Sequence, residues 1–256
     1  MAADPVSKSQ TRPTDRSRVQ SVTRAVALLN TIADSNVPLS ATQLKAKTGL
    51  DRTVVHRLLR TLEAENLVVK LDSRYAIGPK TLLYGNSYLD RLALRRIALP
   101  YLVDFHIRSV GSRPWAVTLG VPTSNEVLLV ERLWNRYAPL DTLLEIGTRL
   151  HFDHSAMGRC VLAYLPPDRI AQAVGPKRAK ELAQNLKAIR ERGGVEFSSS
   201  EIRPGISAIS VVILRADEPA GIVAVSGTKL EDQLSPDSEL AGSLKRLAAQ
   251  ISTATN

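Results

Sequence analysis

Residues 50–68, LDRTVVHRLLRTLEAENLV, constrain the fold of this chain more than any other stretch. Val54, Val55, Leu58, Leu59 and Leu62 fall within an arc about 140° wide on a helix turning about 100° per residue. Thr53, Arg57 and Arg60 lie opposite, with His56 at the edge of that face. A helix divided in this way buries one side and presents a cationic one, so it needs a partner surface on the apolar side. The preceding residues can supply it. Val22, Ala25, Val26, Leu29, Ile32 and Ala33 recur at helical spacing from Gln20 to about Asp34, before Asn36 and Pro38 break the pattern.

Ser40 followed by Gln43 has capping-box spacing and opens a short helix that Gly49 ends. Asp51 is an N-cap residue type for the third helix. After it, LVVK and RYAI flank a polar turn at Asp72–Ser73 and read as a hairpin. Helix, helix, turn, helix and hairpin within about 60 residues is the order of a winged helix–turn–helix, whose third helix enters the DNA major groove. Charge agrees. Residues 1–80 hold 13 Lys/Arg against 7 Asp/Glu, a net of +6, and the other 176 hold 21 against 18, a net of +3. The excess therefore sits where an anionic partner would bind.

On this reading Arg57 and Arg60 face the bases, because arginine can pair with guanine edges bidentately, while Thr53 and His56 bond bases or phosphates. Ser40 and Thr42 lie where a helix start offers N–H groups to phosphates. Arg74, at the hairpin tip, reaches a phosphate or the minor groove. The plainer reading is a solvated face, with Glu63 as the i+3 partner of Arg60.

The remainder has a different pattern. A segment after Pro79, including LLYGNSYLDRLALRRIAL, reads as one long helix, with Pro100 near its end or opening the next. RPWAVTLG and NEVLLVERL are strand-like. HSAMGRCVLAYLP reads as a helix ended by Pro166–Pro167, and RAKELAQNLKAIRERGG as a polar helix ended by a glycine pair. GISAISVVIL and AGIVAVSG are two more strands, bridged by RADEP, and PDSELAGSLKRLAAQIS is a closing helix. With 44% hydrophobic and 23% charged residues the chain can bury a core. The expected class is α/β (α+β). The expected organisation is a flexible tail over 1–17, a winged helix–turn–helix over 18–79, a helical segment over 80–98 and a sensor-like α/β domain over 99–256.

The function classes narrow further. No apolar run approaches the roughly 20 residues that cross a bilayer. The N-terminus, MAADPVSKSQTRPTDRSR, lacks the apolar core of a secretory signal. The single cysteine, Cys160, permits no intrachain disulfide and sits in an apolar helical run, as a packing residue would. A cytoplasmic protein is expected. No nucleophile elbow, P-loop or dinucleotide fingerprint is present, and Ser226 has no visible base, so no catalytic residue and no cofactor is expected. His151, Asp153 and His154 are possible metal ligands, but their spacing matches no metal motif, and no metal is expected.

SVTRA at 21–25, TGLDRTVVHRLLRTLE at 48–63 and YAIGP at 75–79 resemble the DNA-binding region of IclR-type bacterial transcriptional regulators. SAMGRCVLAYLP, RGGVEFSSSEIRPGISAISVVI and GIVAVSG extend the resemblance over most of residues 18–230. It implies a winged helix–turn–helix, a linker helix and a GAF-like effector-binding domain. It implies homodimers, often homotetramers, on a palindromic operator in double-stranded DNA, controlled by small organic or aromatic acids. Arg52 joins Ser40, Thr42, Thr53, His56, Arg57, Arg60 and Arg74 as the DNA-contacting set. The implied pocket takes Ser155, Gly158 and Arg159 from a helix start, Ala208 and Ser210 from one strand and Ser226 from another. Trp134, Leu143 and Leu144 would wall it, and backbone N–H groups at 155–158 would suit a carboxylate. Trp115 fits either pocket or core. The family has smaller or more apolar residues where this chain has HFDH (151–154), which makes the pocket chemistry less transferable. Two other readings are an architectural DNA-binder without ligand and an enzyme fused to a DNA-binding domain.

Overall fold

The computed structural model describes residues 18–255, so the tail expected over 1–17 lies outside it. The chain forms two compact units, one ending at Tyr88 and the other beginning at Leu89. No helix among the described residues is long and apolar enough to cross a membrane.

The first unit contains α1 (Gln20–Ala33), β1 (Leu39–Ser40), α2 (Ala41–Thr48), α3 (Arg52–Ala64), β2 (Val68–Leu71) and β3 (Arg74–Ile77). The strands form an antiparallel sheet in the order β1-β3-β2, so the hairpin gains a third, two-residue strand that was not expected. Ser40 and Gln43 make the full capping box at the start of α2, at 2.9 and 3.3 Å. Gly49 takes the left-handed conformation that ends the helix, φ 69°, with its N–H donated to the Lys45 carbonyl. Asp51 occupies the N-cap position of α3, but its side chain makes no capping bond.

Leu28, Ile32, Leu44, Val55, Leu59, Leu62, Val68 and Tyr75 form the core of this unit. One part of the α1 stripe is corrected. Val22 and Val26 are exposed, and Leu28, left out of the expected stripe, is fully buried. Val26 and Leu28 stand about 160° apart on a helix, so α1 has two apolar sides and α2 and α3 cover only one.

The segment after Pro79 is not one helix. α4 (Lys80–Arg91) and α5 (Ala93–Phe105) are separated at Leu92, whose backbone is extended. Pro100 lies inside α5, where it has no N–H to donate to the preceding turn, and the helix ends in a π-helical turn over His106–Val110.

The second unit is built on a six-stranded antiparallel sheet, in the order β6-β5-β4-β9-β8-β7. Its strands are β4 (Trp115–Pro122), β5 (Glu126–Trp134), β6 (Arg149–His151), β7 (Val195–Ser199), β8 (Ser207–Arg215) and β9 (Glu218–Gly227). Two three-stranded meanders meet where β4 pairs with β9. Alternate residues point to opposite faces. Val117, Leu119, Ile209, Val211, Val223 and Val225 pack under α5 and α9 (Glu239–Thr255). Val127, Leu129, Val212, Ile222 and Ala224 pack on the other side, under α6 (Ala156–Leu162), α7 (Pro167–Val174) and α8 (Pro176–Glu191). This is an α+β arrangement. Pro166–Pro167 does not simply end a helix: α6 stops at Leu162, and Pro167 opens α7, where its fixed φ and missing N–H are suited to the first turn.

Candidate DNA-reading face and effector cavity

α3 is held by Val55, Leu59 and Leu62, all buried. This fixes which side faces outward. Arg52, Thr53, His56, Arg57 and Arg60 are all exposed. Neither Arg57 nor Arg60 is paired with a described carboxylate, and Glu63 does not bridge to Arg60; the structure gives Glu65 to Lys80 instead, at 2.8 Å. Thr42 is exposed on the first turn of α2. The Ser40 hydroxyl is engaged in its cap, so the helix start offers backbone groups rather than that side chain. Arg74 donates to the Pro38 carbonyl at 3.3 Å, which ties the wing to β1. Sequence reasoning passed over Arg24. It lines a groove of about 820 Å³ between α1 and α3 together with Arg57, Arg60 and Glu65. Its signal was its place inside SVTRA, three residues after Ser21, which lines the same groove.

In the second unit, strand register sets out the effector candidates. Trp134, Ala116, Ser226, Ala208 and Ser198 form one row across β5, β4, β9, β8 and β7. Arg132, Thr118, Ala224, Ser210 and Glu196 form the next row on the same face. Small residues dominate the middle of both rows, so the sheet leaves space there, and the segment after β5 fills it. Leu143 is buried against Ala116 and Ala138. Leu144, Ala208 and Ser226 do come together, around a cavity of about 40 Å³ that Thr142, Ser198, Ile202, Arg203 and Ile206 complete. A water needs about 10–15 Å³ by this measure, so the space suits only a small molecule unless the covering loops open.

The other expected pocket residues stand apart from this cavity. Trp134 is 44% exposed, with the Arg132 guanidinium 4.6 Å from its ring centroid. Ser155 caps α6, accepting from the Gly158 N–H at 3.0 Å, so that N–H is engaged. Gly158 packs so closely that a Cβ there would lie 2.4 Å from the Phe152 Cα. Arg159 is buried. Its Nε meets Glu196 at 2.8 Å and its Nη2 meets Glu201 at 2.8 Å. Burial opposes the charge on Arg159, but the two glutamates outweigh that and raise its pKa. Glu196 also accepts from Arg192 at 3.0 Å and from Asn185 at 3.3 Å. Ser210 is fully buried, and its Oγ has no hydrogen-bond partner among the described residues. Cys160 is buried beside it, and desolvation pushes its thiol pKa up, so it packs rather than reacts. Trp115 is core, with Nε1 donating to the Thr228 carbonyl at 2.9 Å. His151 faces Glu126 at 3.4 Å, His154 faces Asp153 at 3.3 Å, and Asp153 also meets Arg178. These groups are divided among separate partners, and no three metal-binding side chains cluster among the described residues.

Residues 21–72 match the IclR helix–turn–helix domain, and residues 86–253 match the bacterial transcriptional regulator IclR C-terminal domain. The chain belongs to the IclR family. IclR proteins are DNA-binding transcriptional regulators with a C-terminal effector-binding domain, and this one is a regulator rather than an enzyme. The glycerol operon regulatory protein of Streptomyces coelicolor is 29% identical over 222 residues, covering 82% of this chain and 85% of that protein. An IclR regulator from Alicyclobacillus acidocaldarius shares the fold with a TM-score of 0.74 at 23% identity, over 93% of this chain and all of that one. An IclR homologue from Microbacterium hydrocarbonoxydans complexed with 4-hydroxybenzoate superposes with a TM-score of 0.71 at 20% identity, over 91% and 98% of the two chains.

Proposed function

We propose that this IclR regulator reads a palindromic operator through α3, with Arg57 and Arg60 toward the bases. A small organic or aromatic acid in the second unit controls that binding. One observation carries the reading: α3 is anchored by the buried Val55, Leu59 and Leu62 and presents on its other side two arginines that pair with no described carboxylate. Thr53 and His56 flank them, and in this reading Arg24, Arg52, Thr42 and Arg74 contact phosphates. The cavity under Leu144 supports an effector, and counts against an architectural DNA-binder with a fully packed second domain. The homologue that holds 4-hydroxybenzoate makes an aromatic acid a reasonable class.

The same proposal assigns residues 18–79 to DNA binding, 80–98 to a helical connection and 99–256 to the effector. Leu82, Leu83, Tyr84 and Tyr88 on α4 are 47–65% exposed, a cost in water that a second copy of the chain would remove. A homodimer, or a homotetramer built from it, gives the two-fold symmetry that a palindromic operator mirrors. The cytoplasm is the compartment that such a regulator requires.

Selection from randomised duplex DNA tests the reading. The wild type should enrich paired half-sites. Arg57→Ala should lose about 1–3 kcal/mol on the enriched site and relax one position in each half. Equal affinity and an unchanged motif for the variant would remove Arg57 from base readout.

A further inference from the structure

Two loops cover the cavity, and a single arginine joins them. Thr142 and Leu144 come from the segment after β5, and Ile202, Arg203 and Ile206 from the β7–β8 loop. The second loop is firmly shaped. Ser200 N–H donates to the Ile206 carbonyl at 2.9 Å, and Gly205 N–H donates to the Ser200 hydroxyl at 3.0 Å. Arg203 Nη1 donates across the gap to the Asp141 carbonyl. That is its bond in this structure: it pairs with no described carboxylate, and the loop's own acid, Glu201, is given to Arg159.

A half-buried guanidinium at the edge of a cavity, resting on a neutral carbonyl, is under-used. A carboxylate can take two parallel N–H groups of the fork, and bonds between charged groups are about twice as strong as neutral ones. The rest of the lining meets a small acid's other needs: the sheet offers the hydroxyls of Ser198 and Ser226 and the methyl of Ala208, and the loops add apolar contact from Leu144 and Ile206. The start of α6, expected to hold the carboxylate, has its Gly158 N–H turned to Ser155 instead.

We propose that Arg203 selects for an anionic effector and latches the cavity. A ligand carboxylate takes the guanidinium from the Asp141 carbonyl and so frees the segment carrying Thr142, Leu143 and Leu144. The two loop arrangements then differ in ligand affinity, as control by a ligand requires. This rests on the reading of the cavity as the effector site.

The test follows hydrogen exchange in residues 139–145 and 198–208 of the full chain, titrated with acetate, propionate and benzoate and with the matched amides. The acids should alter exchange in both segments, and the amides should not. Arg203→Gln, which can still donate to the Asp141 carbonyl, should raise the half-saturating acid concentration about tenfold or more. Arg203→Lys should recover part of the response, since it keeps the charge without the fork. If acids act on Arg203→Gln as on the wild type, or amides match acids in the wild type, the cavity binds ligands but Arg203 does not select them. If neither class alters either segment, the effector reading of this cavity fails, and the role of Arg203 with it.

Discussion

Arg159→Met is expected to destabilise the second unit by about 3–5 kcal/mol, the usual cost of removing one partner from a buried ion pair. The side chains of Arg159 and Glu196 are only 9% and 6% exposed, so solvent screens the pair very little. Without Arg159, Glu196 keeps Arg192 and Asn185, while Glu201 loses its partner. The remaining Arg192 contact places the loss toward the lower end of that range. Denaturant unfolding of the second unit measures it. Replacing both partners, as Arg159→Met with Glu196→Leu, should recover part of the loss, because the most deeply buried carboxylate leaves with its partner, while Arg192 and Glu201, which lose their partners too, keep access to solvent. A single variant as stable as the wild type would mean that the network is solvated in solution.

Leu59→Ala should cost about 2–5 kcal/mol, through lost transfer energy and the cavity it leaves. Leu59 is 1% exposed and packs among Leu28, Leu44, Val55 and Leu62. A unit this small has little stability to spare. The variant should therefore lose DNA binding through local unfolding, while the second unit unfolds at the wild-type midpoint. Melting followed by circular dichroism would then show an early transition. Full operator affinity in Leu59→Ala would mean that α3 is not held by this core.

Features that depend on near neighbours were legible in the sequence. The α2 capping box, the left-handed Gly49, the turn between β2 and β3 and the buried stripe of α3 each involve residues a few positions apart. The α1 stripe was only half right, because periodicity does not say which of two apolar sides meets α2 and α3. β1 and β6, at two and three residues, are too short to carry a period, and their pairing is decided by β3 and β5. The site was harder to read. Arg159 and Glu196 are far apart in the chain, and only β7 lying beneath α6 joins them, so Arg159 read as a pocket residue when it is committed to an ion-pair network. Arg203 gave no local signal, since its partner Asp141 lies on a loop 62 residues away. Ala208 and Ser226 were named from the resemblance; both line the cavity, and the strand register explains why small residues there leave space.

Control by an effector requires that ligand in the second unit changes DNA binding by the first. A thermal-shift screen with organic and aromatic acids, including 4-hydroxybenzoate, supplies the ligand, because binding to the folded state alone raises the midpoint. The deciding measurement is the affinity for the selected duplex, at fixed salt, with and without that ligand at saturation. Saturating ligand should change that affinity by about 5–150-fold, a coupling of about 1–3 kcal/mol. An affinity that stays the same while the ligand is bound would contradict it.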